Sequence, residues 1–304
     1  MVKIGKFQFK KERLTITLLA VPFILFVIAF FYVPLCGWIL AFINYKPGLN
    51  IFQCDFVGLY YFKLIFKEWN KFSQVLTNTL AISFLSILCA PLPAIFAIFL
   101  SELKGVRFKK VVQTITTIPN FVSWIIVYAL AYALFSSDGV VNHLLLSAGA
   151  VDKATNLLGN SDAVWFFQTF LLVWKTIGWN AIIYFAAIAG IDNELYDAAS
   201  VDGAGRFQKI LHVTVPGISS TFFVLLLLQI SNLLTQGVDQ YLAFYNSMVA
   251  DKINVLDLYV YRLGLVTQDY SYATAVGIFK SVISIILLMS ANGLSKKIRG
   301  ESLI

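Results

Sequence analysis

Charged side chains are scarce in this sequence. Only 13% of its 304 residues are Asp, Glu, Lys or Arg, and 59% are apolar, whereas soluble domains contain about 25% charged and about 45–50% apolar residues. A soluble protein of this length could not cover its surface with so few charges. The composition therefore indicates a protein with much of its surface in lipid.

The sequence also lacks the residue patterns of several kinds of site. Cys36, Cys54 and Cys89 form neither a disulfide framework nor a metal-ligand spacing, and His143 and His212 are isolated from any nucleophile–base arrangement. There is no GxxxxGK[ST] loop for ATP and no GxGxxG for a dinucleotide. Basic residues lie between apolar runs rather than in one patch, so nucleic acid is not an expected partner. We predict no catalytic residue, no metal and no cofactor in this chain.

Long apolar runs are what the sequence has instead. Four runs contain no Asp, Glu, Lys or Arg: 14–45, 72–101, 111–137 and 213–238. Two more, 163–191 and 270–295, contain one lysine each, Lys175 and Lys280. About 20 apolar residues cross a bilayer as a helix, so the sequence predicts an all-α integral membrane protein with six transmembrane helices. The first run is much longer than a signal-peptide core of about 7–15 residues, and we interpret it as a retained span.

The distribution of Lys and Arg predicts the orientation. Fourteen lie in the N-terminal tail, the second–third and fourth–fifth loops and the C-terminal tail, against seven in the other loops. Because positive charge is retained inside, both termini are expected to be cytoplasmic. The predicted organisation is a tail at 1–13, a transmembrane domain at 14–295 and a tail at 296–304. None of the acidic residues lies within a span, which is unlike a proton- or sodium-coupled carrier.

The loop after the fourth span contains the most specific pattern. Asp192 can cap a helix whose first turn carries Glu194. Gly203 permits a sharp turn after that helix, and Pro216 can begin the next span. One narrow face of the helix is formed by Leu195, Ala198, Ala199 and Asp202. The residues alone thus predict a short helix–turn–helix at the membrane surface.

This loop resembles the "EAA" loop of the membrane subunits of binding-protein-dependent ABC importers. In that loop Glu-Ala-Ala is followed by Gly at a fixed spacing and later by a Leu-Pro-like pair. Asp197 stands where Glu is usual, and Val215 where Leu is usual. The resemblance implies that a coupling loop at about 191–213 contacts the ATPase, through Tyr196, Asp197, Ala198, Ala199, Asp202, Gly203, Ala204 and Pro216.

Gln113-Thr114, together with the segment 118–124, resembles the third span of the carbohydrate-uptake branch of that family. The segments 174–179 and 272–277 resemble the polysaccharide and complex-oligosaccharide permeases of that branch. The resemblance implies the type I ABC importer permease fold, in the inner membrane of a bacterium, with this chain as half of a translocation pathway for an oligosaccharide. It also implies a second homologous permease, two ATPase subunits that bind ATP and Mg, and an extracytoplasmic sugar-binding protein. The alternatives are an importer subunit for a non-sugar solute, or a non-transporting membrane protein with this fold.

Sugar sites combine aromatic rings with amide and hydroxyl groups, so polar and aromatic residues in the later spans are candidates for the pathway. These are Trp174, Lys175, Trp179, Asn180, Tyr184, Gln229, Asn232, Gln236, Tyr241 and Lys280. Gln and Asn also bond neighbouring helices, and Trp also anchors span ends. A charged lysine near the centre of a span costs about 2.5–3.5 kcal/mol. Lys175 and Lys280 therefore each need a water-filled cavity, a carboxylate of the partner permease, backbone carbonyls or an anionic ligand.

Overall fold

The computed structural model describes residues 17–299. The predicted tail at 1–13 and positions 300–304 of the predicted C-terminal tail lie outside these residues. The described chain is helical almost throughout. Its helices are α1 (Thr17–Phe42), α2 (Tyr60–Lys67), α3 (Trp69–Leu88), α4 (Pro91–Ser101), α5 (Val106–Thr117), α6 (Trp124–Phe135), α7 (Val140–Ser147), α8 (Val164–Ala189), α9 (Asn193–Val201), α10 (Arg206–Lys209), α11 (Val215–Ser231), α12 (Asp239–Ala243), α13 (Ala250–Ile253), α14 (Leu256–Tyr261) and α15 (Tyr270–Arg299).

Six segments of the described chain are long and apolar enough to cross a membrane, which confirms the predicted number of spans. They are Thr17–Phe42, Trp69–Ser101, Trp124–Ser147, Val164–Ala189, Arg206–Ser231 and Tyr270–Ser290. The third and fifth differ from the predicted runs, and a proline is involved in each difference.

The predicted third span, 111–137, is not one continuous helix. Between α5 and α6 the chain makes a single 3₁₀ turn, Ile118–Phe121, followed by an extended Val122. Pro119 has no N–H to donate, and its ring disfavours continuation of the preceding helix. Ser123 then caps α6 by accepting a hydrogen bond from the Ile126 N–H at 3.4 Å. The interruption exposes backbone carbonyls that an unbroken helix would have satisfied.

The fifth span begins at Arg206, ten residues before the position predicted from Pro216. A π-helical turn, Ile210–Thr214, joins α10 to α11 immediately before that proline. The wider turn accommodates a residue that lacks the N–H and crowds the preceding carbonyl. The helix ends at Ser231, so Gln236 lies in the loop that follows and not within the span.

Residue contacts divide the described chain into two compact units, 17–67 with 262–279, and 68–261 with 280–299. The prediction of a single transmembrane domain over 14–295 stays a prediction. In the larger unit, one buried cluster includes Ile82 of α3, Val127 of α6, Phe167 of α8, Tyr241 of α12 and Leu258 of α14. Much of the loop after the fifth span is therefore core and not surface. A second cluster joins α4, α8 and α11 through small residues, among them Ala97 and Ala181.

In the smaller unit, α2 packs by Tyr61 and Ile65, which are buried. Lys63 and Lys67 of the same helix are exposed, so α2 is amphipathic. The Ser271 hydroxyl accepts a hydrogen bond from the Tyr45 N–H at 3.0 Å and donates one to the Ile43 carbonyl at 2.7 Å. Two segments far apart in sequence are thereby joined. The apolar residues of α1 are largely exposed.

Candidate substrate cavity and coupling loop

A cavity of about 340 Å³ lies in the larger unit, between α3, α4, α8 and α11. Three of the predicted pathway residues line it together: Asn180 and Tyr184 from α8, and Gln229 from α11. They meet because positions 180 and 184 are one helical turn apart and share a face. Phe222 of α11 adds a second aromatic ring to the wall.

The cavity wall is polar without being charged. Of the described residues that line it, none is Asp, Glu, Lys or Arg. The side chains of Asn180 and Gln229 make no hydrogen bond to another described residue, and the buried Ser86 Oγ of α3 has none either. Free amide and hydroxyl groups beside aromatic rings are the groups that orient a polar, uncharged ligand.

Ser86 is a cavity residue that the sequence did not single out. Serine in an apolar helix usually bonds to the carbonyl of the preceding turn. Ser83, one turn earlier, does so, and its Oγ donates to the Thr79 carbonyl at 2.7 Å. No pattern in the sequence distinguishes the two serines.

Lys175 donates hydrogen bonds to the backbone carbonyls at the break in the predicted third span. Its Nζ donates hydrogen bonds to the carbonyls of Pro119 at 3.0 Å, Asn120 at 2.7 Å and Val122 at 2.7 Å. The ammonium also lies 5.3 Å from the centre of the Trp124 ring. With 6% of its surface exposed, Lys175 has the backbone-carbonyl environment, one of the four alternatives that the sequence left open.

Lys280 pairs with a carboxylate of its own chain, which was not among those alternatives. Its Nζ contacts Asp257 Oδ1. The other carboxylate oxygen, Oδ2, accepts hydrogen bonds from the backbone N–H groups of Gln236 at 2.8 Å and Gly237 at 2.9 Å. Asp257 belongs to the segment between the fifth and sixth spans, and this segment is packed into the larger unit and brings the carboxylate to Lys280.

Two more predicted pathway residues belong to this Asp257 network. The Tyr241 hydroxyl donates to Gln236 Oε1 at 3.2 Å, and Gln236 Nε2 contacts Ser83 Oγ. Burial, and the nearby Asp257 charge, raise the pKa of the Tyr241 phenol above its usual range, so the hydroxyl keeps its proton. The network joins α3, α12, α14 and α15 around the end of α11.

The remaining candidates, Trp179, Trp174 and Asn232, lie outside the cavity and outside the Asp257 network. The Trp179 ring meets the Phe121 ring edge to face, with centroids 5.5 Å apart, beside the α5–α6 break. Trp174 is partly exposed, and Asn232 Nδ2 donates to the Leu228 carbonyl at 3.0 Å. The structure thus places three of the ten candidates in the cavity and others in contacts within the protein. Which of them contact substrate stays a prediction.

The predicted coupling loop has the expected helix–turn–helix form. Asp192 Oδ1 accepts a hydrogen bond from the Glu194 N–H at 2.9 Å and so caps α9. Gly203 has φ +79°, a left-handed conformation that most side chains disfavour. The Ala204 N–H then closes the turn on the Ala199 carbonyl at 2.9 Å. These contacts confirm the predicted cap and turn.

Most side chains of α9 are exposed, on more than one side of the helix. Leu195 and Val201 are 54% and 88% exposed, and Asp197, one turn before Val201, is exposed as well. On the inner side, the Tyr196 hydroxyl and Thr214 Oγ1 share a hydrogen bond of 2.9 Å, which connects α9 to the turn before Pro216. A movement of α9 would therefore act directly on the residue that precedes α11.

The family profile described as "Binding-protein-dependent transport system inner membrane component" matches residues 90–300. Protein LplB of Bacillus subtilis (strain 168) is 40% identical over 94% of this chain and 90% of its own length. The polygalacturonan/rhamnogalacturonan transport system permease protein YteP of the same organism is 38% identical over 97% and 94%. A solved chain of a bacterial ABC transporter that imports the acidic polysaccharide alginate superposes with a TM-score of 0.86, at 31% identity, over 97% of this chain and 99% of its own.

Proposed function

The chain belongs to the family of binding-protein-dependent transport system inner membrane components, and we propose that it is the permease subunit of an ABC importer for an oligosaccharide or polysaccharide fragment. It is a multi-pass protein of the bacterial inner membrane. One relative named for polygalacturonan and rhamnogalacturonan, and a structural neighbour that imports alginate, support this class of substrate.

The cavity between α3, α8 and α11 is the observation that carries the proposal. Sugars present many hydroxyl groups and apolar ring faces. The unpaired amides of Asn180 and Gln229, the Ser86 hydroxyl and the rings of Tyr184 and Phe222 match both features. The cavity holds only a small part of a polysaccharide at one time. We therefore expect a second, homologous permease to supply the facing half of the pathway.

The ATPase subunits would act on this chain through α9. With both termini cytoplasmic, the loop after the fourth span is cytoplasmic as well. The exposed Asp197 and Val201, which are one helical turn apart, can then dock into one of two ATPase subunits that hold ATP and Mg. Closure of the ATPases would move α9, and the Tyr196–Thr214 hydrogen bond would pass that movement to α11 and the cavity. An extracytoplasmic binding protein would deliver the sugar, as the structural neighbour's complex with an alginate pentasaccharide-bound periplasmic protein supports.

Uptake by the reconstituted complex in proteoliposomes tests this function. Asn180→Leu and Gln229→Leu should lower uptake of oligosaccharide while complex assembly and basal ATP hydrolysis are kept, because both changes remove hydrogen-bonding groups from the cavity alone. Gln53→Leu, at an exposed position outside the cavity, is the matched control and should transport normally. Unchanged uptake in both cavity variants, or transport of non-sugar solutes only, would overturn the proposal.

A further inference from the structure

The coupling loop is joined to the second span as well as to α11. Arg206, the first residue of α10, follows the turn at Gly203. Its Nε donates a hydrogen bond to Glu102 Oε2 at 2.6 Å, and its Nη2 donates to the Glu102 backbone carbonyl. Glu102 directly follows α4. One guanidinium therefore binds both a side chain and the backbone at the end of α4, which restricts its direction as well as its distance.

Neither charge is explained by its own helix. The C-terminal end of a helix disfavours a carboxylate, and the N-terminal end disfavours a cation. Glu102 lies at the C-terminal end of α4, and Arg206 begins the helical segment Arg206–Ser231. Each charge is therefore at the end that opposes it. The contact between them compensates both, so the pair accounts for two residues that local helix stability does not.

Apolar packing between α4 and α10 is incomplete near the pair. Glu102 and Arg206 both line a groove of about 600 Å³ between the end of α4, the start of α5 and α10. Phe99, Phe108 and Phe207 also line it, and all three are exposed. Their rings thus leave space between the helices. The hydrogen bonds of Arg206 join the α4 side of this groove to its α10 side.

Side chains also hold α10 to α9. Lys209 Nζ donates a hydrogen bond to Ser200 Oγ at 2.5 Å. Gln208 Oε1 accepts one from the Gly205 N–H at 2.7 Å, at the turn between the two helices. A displacement of α9 would therefore carry Arg206 with it.

At its other end, α4 forms part of the cavity wall. Cys89, Ala90 and Pro93 line the cavity, and the second span is interrupted here, between α3 and α4. Pro91 and Pro93 have no N–H to donate, so the helical hydrogen bonds at this break are incomplete. At about 1.5 Å per residue, the chain rises about 14 Å from Pro93 to Glu102. The helix α4 thus connects the cavity to the ion pair.

We propose that Glu102 and Arg206 are positioning residues for transport, which fasten the coupling loop to α4 so that a movement of α9 reaches the cavity wall at Pro93. This inference rests on the proposed function, in which the ATPases act through α9. The Tyr196–Thr214 hydrogen bond gives the corresponding connection to α11. One movement of the coupling loop would then displace two of the helices that line the cavity.

Uptake and ATP hydrolysis by the reconstituted transporter test the role of the pair. Arg206→Gln and Glu102→Gln should each lower uptake per ATP hydrolysed by about fivefold, the lower end of coupling between two sites. The exchange Glu102→Arg/Arg206→Glu restores the pair and puts each charge at the helix end that favours it, so it should recover most of the loss. Arg107→Gln removes an exposed arginine of α5 and is the matched control; its coupling should equal that of the wild type.

The native Cys89 thiol reports on the cavity wall beside α4. Its labelling by N-ethylmaleimide is followed by peptide mass spectrometry, with the ATPases either free of nucleotide or trapped with ATP and vanadate. Trapping should change the rate of Cys89 labelling in the wild type and in the exchange variant, and much less in Arg206→Gln. A role of the pair in stability alone would lower the amount of complex without removing this response.

No Cys89 response in the wild type, a full response in Arg206→Gln, or no recovery of coupling in the exchange variant would each overturn the proposal. The proposed function fails by a different result. A wild-type complex that shows the Cys89 response but takes up no oligosaccharide would refute the substrate class and support the role of the pair.

Discussion

Lys175 holds a helix break together within the membrane. The break at Pro119 leaves carbonyls without helical partners, and one ammonium supplies three donors to them. An isolated charge at this depth would be costly, as would the isolated carbonyls. Each group removes the cost of the other, so the lysine needs no anionic substrate to explain it.

We expect Lys175→Met to destabilise the complex and to reduce uptake of acidic and neutral oligosaccharides equally. A hydrogen bond to a charged group contributes about 1.5–3 kcal/mol, and this variant loses three. Thermal unfolding in detergent and uptake by proteoliposomes measure the two effects. Lys153→Met, at an exposed loop position, should change neither. Selective loss of the acidic substrate at unchanged stability would instead make Lys175 a substrate contact.

The Asp257–Lys280 pair leads to a different expectation, because removal of one partner leaves the other charge without compensation. Breaking a buried pair from one side costs about 3–5 kcal/mol, whereas replacing both partners costs much less. Asp257→Asn and Lys280→Met should each lower the melting temperature more than the double variant does. A double-mutant cycle on the assembled complex measures the coupling. Strictly additive effects of the two substitutions would show that the charges do not stabilise each other.

The proposed coupling role of α9 rests on the conformation at its C-terminal end and on its exposed side chains. Gly203 at φ +79° allows the chain to turn back after α9, and a Cβ there meets no atom within 4 Å. The requirement for glycine is thus conformational and not one of space. Asp197 and Val201 are exposed, and on another side of the helix Tyr196 is hydrogen-bonded to Thr214.

We predict that Gly203→Val and Asp197→Lys leave the membrane complex assembled but uncouple ATP hydrolysis from uptake. A β-branched residue in a left-handed conformation costs about 1–3 kcal/mol, and the lysine reverses the charge of the docking face. Uptake and ATP hydrolysis, measured in the same proteoliposomes, give the coupling ratio. Gly205→Ala is the matched control, since Gly205 has a negative φ and its added Cβ would have only ordinary contacts. Wild-type uptake in both variants would contradict the coupling role.

Across the molecule, charge is kept away from the cavity. Both lysines of the spans have partners within the larger unit, and no described residue of the cavity wall carries a charge. Under the proposed function, recognition of the sugar at this cavity would therefore rest on hydrogen bonds and aromatic rings. Acidic groups of a substrate would be neither attracted nor repelled by it.

A charged residue introduced into the cavity wall should make the transporter distinguish acidic from neutral oligosaccharides, which the uncharged wall of the wild type does not. Gln229→Glu would place a carboxylate in the cavity, and it should lower uptake of an acidic oligosaccharide more than uptake of a neutral one of equal length. Competition between the two labelled sugars measures the ratio directly. Gln53→Glu controls for the added charge outside the cavity. If the ratio is unchanged in Gln229→Glu, the cavity does not lie on the path of the sugar.

The sequence by itself determined the features that depend on neighbouring residues. Each span must be long enough to cross the bilayer and must satisfy its own backbone, so apolar runs alone predict six spans. The cap at Asp192 and the turn at Gly203 are likewise local. Only the tertiary structure decided that Lys175 meets carbonyls more than fifty residues away, that Asp257 reaches Lys280, and that Ser86, Asn180 and Gln229 share one cavity. Such contacts depend on which helix faces pack together, and a one-dimensional pattern of polarity leaves that open because many packings bury the same apolar residues.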